Sequence, residues 1–95
     1  MRFIRSDSVV SRVIADETLI VPIRRGVGDL QSIYSLNAVA SAIWNAMSEP
    51  RDKNEIVQLI EREFDSPREV VSSDVDSFLA EMTAAGLVNN AGVAA

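Results

Sequence analysis

The sequence predicts an α+β domain of winged-helix-like architecture, in which a three-stranded antiparallel sheet is followed by three helices. β-branched residues are concentrated before residue 37, and apolar residues recur at helical spacing after it. Pro50, Pro67 and Gly86 divide the second half of the chain into three segments. Because 95 residues hold one hydrophobic core, we expect a single domain over residues 1–88.

Three stretches before residue 37 have the pattern of strands. Residues 9–14 and 18–24 are rich in β-branched side chains and are separated by three residues, which favours a hairpin. A third strand is predicted over residues 30–36, after a turn that contains Gly26 and Gly28. Pro22 cannot donate to a ladder, so either its nitrogen faces away from a neighbouring strand or a bulge is present.

The first two helices have clear start signals. Asn37 is suited to be the N-cap of helix one, which ends before Pro50. Asp52, with Glu55 three residues later, has the capping-box pattern of a helix start. Helix two is predicted to begin there and to end near Asp65.

The third helix is predicted between Ser66 and Gly86. Ser66 is expected to be its N-cap, with Pro67 at the first helical position, and Gly86 is expected to end it in a left-handed conformation. The next two residues are apolar and are expected to fold back onto the core. Residues 89–95 are small and weakly patterned, so we expect a flexible tail.

Charge disfavours nucleic acid as a partner. The net charge of the chain is −5, which is the sum of a net −6 over residues 37–95 and a net +1 over residues 1–36. A winged helix would place its third helix in the major groove of DNA. Here that helix offers Arg68 alone against four acidic residues, while DNA binding takes much of its affinity from neutralised phosphates.

The inventory of reactive side chains argues against an enzyme. The chain has no histidine and no cysteine, so the commonest general acid–base group and the best transition-metal ligands are missing. We therefore expect no catalytic site, no metal site and no cofactor. Charged residues near the start leave no signal-peptide core, and no segment is long enough to span a bilayer, so we expect a cytoplasmic protein without a membrane partner.

Several short blocks are informative as an ordered set. They are Tyr34-Ser35-Leu36-Asn37, Ala42-Ile43-Trp44, Glu55-Ile56-Val57, Glu63-Phe64-Asp65, Asp74-Val75, Phe78-Leu79 and Gly86-Leu87. In this order and spacing they resemble the family of pyrroloquinoline quinone biosynthesis protein D (PqqD), over about residues 8–88. The likeness is closer to the standalone group of that family that includes lasso-peptide recognition proteins.

The resemblance implies a peptide chaperone without catalytic activity. Members of the family bind the leader of a ribosomally made precursor peptide, in the biosynthesis of ribosomal peptide natural products (RiPPs). They present it to a maturation enzyme such as a radical SAM enzyme, a cyclase or a leader peptidase. The leader adds as an extra strand beside the third strand and packs against the third helix, and an open strand edge supplies the unpaired N–H and C=O groups for this.

By position, the resemblance assigns eleven residues to peptide binding. They are Leu30, Gln31, Ser32, Ile33, Tyr34, Ser35, Val71, Asp74, Val75, Phe78 and Glu81. Val71, Val75 and Phe78 equally fit an apolar stripe that docks the helix onto the core, and Asp74 lies at the edge of that stripe. A winged-helix DNA-binding protein and a general protein-docking adaptor stay open as alternatives. An open strand edge also allows a homodimer.

Overall fold

The computed structural model describes residues 2–15, 17–24, 27–28 and 33–91. The strands within these residues are β1 (Arg2–Arg5), β2 (Val9–Ile14), β3 (Glu17–Arg24), β4 (Val27–Gly28), β5 (Tyr34–Leu36), β6 (Arg51–Asp52) and β7 (Val88–Asn90). The helices are α1 (Ala38–Ala46), α2 (Lys53–Phe64) and α3 (Arg68–Ala84). The predicted α+β class, with an antiparallel sheet followed by three helices, is confirmed.

β2, β3, β4 and β5 form one antiparallel sheet, which we call the hairpin sheet. β3 lies in its middle, with β2 along one side and with β4 and β5 on the other. The hairpin of β2 and β3 was predicted from the two β-branched runs and is confirmed. Thr18, Ile20 and Pro22 of β3 are buried, because they lie on the face that packs against the helices.

One hydrogen bond fixes the direction of the backbone groups in β3. Ile23 N–H donates to the Ser8 carbonyl at 2.8 Å, on the β2 side. Bonding groups alternate along an antiparallel strand, so odd-numbered residues of β3 bond to β2 and even-numbered residues face β4 and β5. The bonded pairs of β3 and β5 are therefore Ile20 with Tyr34 and Thr18 with Leu36.

Pro22 lies where the partner strand of β3 is interrupted. It is even-numbered, so its missing donor is on the side of β4 and β5. From Ile20 to Ile23 β3 advances three residues, while the opposite chain spans six residues between Tyr34 and Gly28. The residues between Gly28 and Ile33 lie outside the described part of the chain, so the two alternatives for Pro22 stay a prediction.

The third predicted strand, residues 30–36, is only partly a strand. Tyr34–Leu36 forms β5, Ile33 precedes it as irregular backbone, and residues 30–32 lie outside the described residues. Val27 and Gly28 were expected in the turn, and instead they pair with the end of β3 as β4.

A second sheet, which the sequence did not predict, joins the two ends of the described chain. In this terminal sheet β1 pairs with β6 on one side and with β7 on the other. Ala91 N–H donates to the Arg2 carbonyl at 2.8 Å and extends the ladder. Asn89 and Asn90, predicted to belong to a flexible tail, are instead paired with β1, and residues 92–95 lie outside the described part of the chain. The sequence pattern does not predict this sheet, because β6 has only two residues and β7 ends in two asparagines, a residue type of low strand propensity.

α1 and α2 begin where the sequence predicts. Asn37 Oδ1 accepts the Ala40 N–H at 2.9 Å. The Asp52 carboxylate accepts the Glu55 N–H at 2.8 Å, and the Glu55 carboxylate accepts the Asp52 N–H at 3.0 Å, which completes the predicted capping box. α2 ends at Asp65, whose φ of 50° is left-handed.

α3 begins one residue later than predicted. Pro67, with φ −58° and ψ 140°, occupies the N-cap position and no side chain caps the helix. The predicted N-cap, Ser66, instead donates its hydroxyl to the Phe64 carbonyl at 3.4 Å. Asp65 has already turned the chain, and the fixed φ of proline leads directly into Arg68 without a side-chain cap.

Gly86 ends α3 as predicted. Its φ is 77°, its N–H donates to the Thr83 carbonyl at 3.1 Å, and the Leu87 N–H donates to the Met82 carbonyl at 2.9 Å. These two bonds form a Schellman motif. Leu87 and Val88 are then buried in the core, as expected.

The core lies between the hairpin sheet and the three helices. Trp44 of α1, Ile60 of α2 and Val75 of α3 are almost completely buried. The guanidinium of Arg5 lies 5.9 Å from the centroid of the Trp44 ring, so β1 contacts the core through a cation–π interaction. The core fixes α1 and α3 on either side of one groove, which is part of the candidate site.

Candidate functional site

β5 presents one open edge. Tyr34 and Leu36 bond to β3, so by alternation the N–H and C=O of Ser35 point away from β3. No described strand pairs with that side of β5. The edge therefore offers backbone donors and acceptors to an extended chain.

The side chains of the predicted strand residues are divided between the core and solvent. Ile33 is 48% exposed, and Tyr34 is half-buried against the core cluster. Ser35 is exposed, and its hydroxyl donates to the Glu17 carboxylate at 3.4 Å. Leu30, Gln31 and Ser32, also predicted to bind the peptide, lie outside the described residues.

The predicted residues of α3 divide in the same way. Val71 and Val75 are buried in the core. Asp74 and Glu81 are exposed on the neighbouring face of the helix. Phe78, 7% exposed, belongs to the core and also lines a surface groove, so it has contacts on both sides.

This groove runs between α1 and α3 and has a volume of about 310 Å³. We call it the α1–α3 groove. Its lining residues are Asn37, Val39, Ala40, Ile43, Asp74, Ser77, Phe78 and Glu81. The apolar side chains contributed by both helices can contact an apolar side chain of a ligand, and the two carboxylates give the groove a negative charge.

Asn37 connects the open edge to the groove. It directly follows β5 in the chain, it is the N-cap of α1, and it lines the groove. The open edge and the α1–α3 groove are therefore contiguous along the chain. The structure thus brings Asp74, Phe78 and Glu81 of the predicted set together in one groove, and Asn37, which is outside that set, links the groove to Ser35 along the chain.

Sequence reasoning missed the α1 wall of the groove. The helical spacing of Val39, Ala40 and Ile43 predicts one core stripe on α1, yet Val39 and Ala40 are only half-buried. That spacing identifies one face of α1 but not which part of the face α3 leaves uncovered. The N-cap signal of Asn37 was recognised, but it carries no information about a groove.

A larger cavity of about 890 Å³ lies on the opposite side of α3. It is lined by Phe3 of β1, by the start of α2 and by the Asp76, Leu79 and Thr83 positions of α3. Lys53 and Asp76 form an ion pair of 2.8 Å across it. None of the eight predicted residues that the structure describes lines this cavity, and β5 does not reach it. Size therefore does not identify the candidate site; the adjacent open strand edge does.

Neither an ion-binding cluster nor a membrane-spanning helix occurs in the described part of the chain. Within the described ranges, no group of three or more acidic, histidine or cysteine side chains is arranged to hold a metal ion. No helix among these residues has the length and apolar character needed to cross a bilayer.

Known proteins resemble this chain in both sequence and structure. The family model described as "Coenzyme PQQ synthesis protein D (PqqD)" matches residues 17–88, a range that includes β5, the α1–α3 groove and all of α3. The chain also resembles a solved structure, "TbiB1 in Complex with the TbiA(beta) Leader Peptide", with 32% sequence identity and a TM-score of 0.75. That match covers 97% of this chain and 99% of the other. No curated protein matches the chain.

Proposed function

Because the chain belongs to the PqqD family, we propose that it is a non-catalytic peptide chaperone that binds the leader of a ribosomally made precursor peptide by strand addition at β5. The observation that carries the proposal is the open edge at Ser35 beside the α1–α3 groove. The similar solved structure, at 32% identity, is that of TbiB1 in complex with a leader peptide, which supports the same class of ligand.

Main-chain pairing accounts for affinity that tolerates changes in sequence. A leader strand beside β5 would accept from the Ser35 N–H and donate to the Ser35 carbonyl. Each such bond contributes about 0.5–1.5 kcal/mol net, whatever the side chain of the leader residue. Pairing of this kind gives affinity, and the side chains must give selectivity.

The α1–α3 groove would supply the selectivity. Alternate side chains of an added strand point to the same face, so every second leader residue would face the helices. Phe78 and Val39 can contact an apolar leader residue, while Asp74 and Glu81 favour a basic one. No described cation lies within ion-pair distance of either carboxylate. We infer a leader segment that combines an apolar residue with a lysine or arginine.

The proposal assigns the chemistry to a separate maturation enzyme. The chain has no histidine or cysteine, so its contribution would be to hold the leader and present the rest of the precursor. A radical SAM enzyme, a cyclase or a leader peptidase would be the acceptor. We also infer a cytoplasmic location, because the precursor is made by ribosomes there.

Chemical-shift mapping tests the proposal directly. The probe is a synthetic leader peptide, chosen by searching the neighbourhood of the gene for a short precursor gene. We expect its addition to ¹⁵N-labelled protein to shift the amides of Ile33, Ser35 and Asn37 and those of α3 around Phe78. Shifts confined to Phe3, Lys53 and the opposite side of α3 would contradict the site. Absence of binding at millimolar leader would contradict the function.

A further inference from the structure

The hairpin sheet has a second exposed edge, on β2. Val10, Val13 and Ile14 of this strand are 53%, 65% and 54% exposed. Among the described residues, β2 pairs with β3 only. Exposed edges of natural sheets are usually shortened, covered or interrupted by charge and proline, whereas the six residues of β2 contain a single charge at Arg12. An edge of this length and composition is suited to pairing with another strand.

The register fixes which backbone groups face outward from β2. Ser8 accepts a bond from Ile23 of β3, so even-numbered residues of β2 bond inward. Val9, Ser11 and Val13 therefore direct their N–H and C=O groups away from β3. This gives three donors and three acceptors in one row, more than the described edge of β5 offers.

We propose that β2 pairs with β2 of a second copy of this chain, centred on Ser11. With a two-fold axis perpendicular to the sheet, the same face of both copies lies on the same side of the joined sheet. The outward-facing odd-numbered residues of one copy must then pair with odd-numbered residues of the other copy. With Ser11 opposite Ser11 of the second copy, Val9 lies opposite Val13 of that copy, and the reverse. These three bonded pairs make about six hydrogen bonds, and the valines meet across the join.

Charge disfavours the register centred on Arg12. Shifting the centre by one residue would place Arg12 directly opposite Arg12 of the second copy, and like charges at that distance are unfavourable. With Ser11 at the centre, Arg12 lies opposite Val10 of the second copy instead. The strand can therefore pair with itself without opposing like charges, which favours a second copy over an unrelated strand as the occupant.

The proposed dimer leaves the leader site accessible. β2 and β5 lie on opposite sides of β3, so the joined sheet would run β5-β3-β2 in one copy and continue β2-β3-β5 in the other. The two open β5 edges would lie at its two ends. The dimer is thus independent of the proposed leader binding.

A cysteine cross-link tests both the edge and the register. The chain has no native cysteine, so Ser11→Cys introduces one thiol per copy. Cα atoms of a bonded antiparallel pair are about 5.5 Å apart, within the range of a disulfide. We expect mild oxidation to give a disulfide-linked dimer of Ser11→Cys, but not of Arg12→Cys or Ser35→Cys. Preferential cross-linking of Ser35→Cys would move the dimer to the leader edge, and cross-linking of Arg12→Cys above Ser11→Cys would refute the register.

Sedimentation analysis tests the association without a cross-link. The mass of the parent protein should rise with concentration from 10.4 kDa toward twice that value. Ser11→Lys places two lysines opposite each other at an exposed position and should raise the dimer dissociation constant about fivefold. A parent protein that stays monomeric into the millimolar range would overturn the proposal. Leader affinity of Ser11→Lys, measured in parallel, should equal that of the parent, because β2 and β5 lie on opposite sides of β3. Loss of leader binding by this variant would contradict the proposed leader site and not the dimer.

Discussion

Replacing Ser35 with proline removes an outward-facing donor of β5 and no described ladder bond. The Ser35 N–H points away from β3, whereas the inward bonds of β5 are made by Tyr34 and Leu36. The proline ring also occupies the space that a leader carbonyl would enter. The variant therefore tests strand addition with little change to the hairpin sheet.

The expected magnitude follows from the bond that is lost. One net hydrogen bond of about 0.5–1.5 kcal/mol corresponds to a change in affinity of about 2- to 13-fold. The clash with the ring adds to this, so we expect leader affinity to fall at least about fivefold. The fold should change less, because the internal bond lost is an exposed contact of 3.4 Å between Ser35 and Glu17. We expect the free energy of unfolding to fall by less than about 1 kcal/mol.

Ser11→Pro is the matched control. Ser11 is also an exposed serine with an outward-facing N–H, but it lies on the other edge of the hairpin sheet. Isothermal titration calorimetry with the leader peptide, together with thermal melts, compares the two variants with the parent. Strand addition at β5 would be refuted if folded Ser35→Pro bound the leader as tightly as the parent, or if Ser11→Pro lost as much affinity.

The remaining predictions concern the groove, the helix ends and the charge of α3. Asp74→Ala should weaken leader binding up to about fivefold, and the effect should be larger at low salt. Asp76→Ala is the same change on the opposite side of α3 and should leave leader binding unchanged. Equal losses of affinity for the two variants in titrations would contradict the groove assignment. Gly86→Ala should lower the free energy of unfolding by about 1 kcal/mol, because alanine is strained at a φ of 77°. No atom lies within 4 Å of the added Cβ, so the effect comes from the backbone conformation. An unchanged denaturation midpoint would contradict this. Asp52→Ala should cost about 0.5–2 kcal/mol through loss of the capping box, and a urea melt coincident with that of the parent would argue against the cap. Mixed-sequence duplex DNA should show no appreciable binding at physiological salt, and micromolar, steeply salt-dependent gel shifts would be inconsistent with the acidic surface of α3.

Local chemistry accounts for what the sequence predicted well. Asn37, Asp52 and Gly86 act on backbone groups within a few residues, and all three have the predicted role. Ser66 shows the limit of such rules. Its side chain could cap a helix, but Asp65 and Pro67 on either side had already fixed the backbone, so the hydroxyl bonds elsewhere.

Long-range pairing accounts for what the sequence missed. The terminal sheet brings Arg2–Arg5 against Val88–Asn90, more than eighty positions away, and no local propensity marks the asparagines as a strand. The side of β3 that the nitrogen of Pro22 faces is a second feature of this kind. That side is set by the register with β2 and cannot be read from the residue itself.

By itself, the sequence determined the class of fold, the three helices, the caps of α1 and α2, the end of α3 at Gly86, the acidic character of α3 and the likeness to a peptide-binding family, because each depends on residue type and near neighbours. Only the tertiary structure decided which residues form the candidate site. Val71 and Val75 lie in the core, whereas Asp74 and Glu81 are exposed. One face of α3 packs on the core, and a neighbouring face of the same helix borders the α1–α3 groove. The candidate site also includes Asn37, Val39 and Ala40, because α1 crosses α3 at a position that the helical spacing of apolar residues does not specify. The core sets that crossing, and burial of one face leaves the neighbouring face available for a ligand.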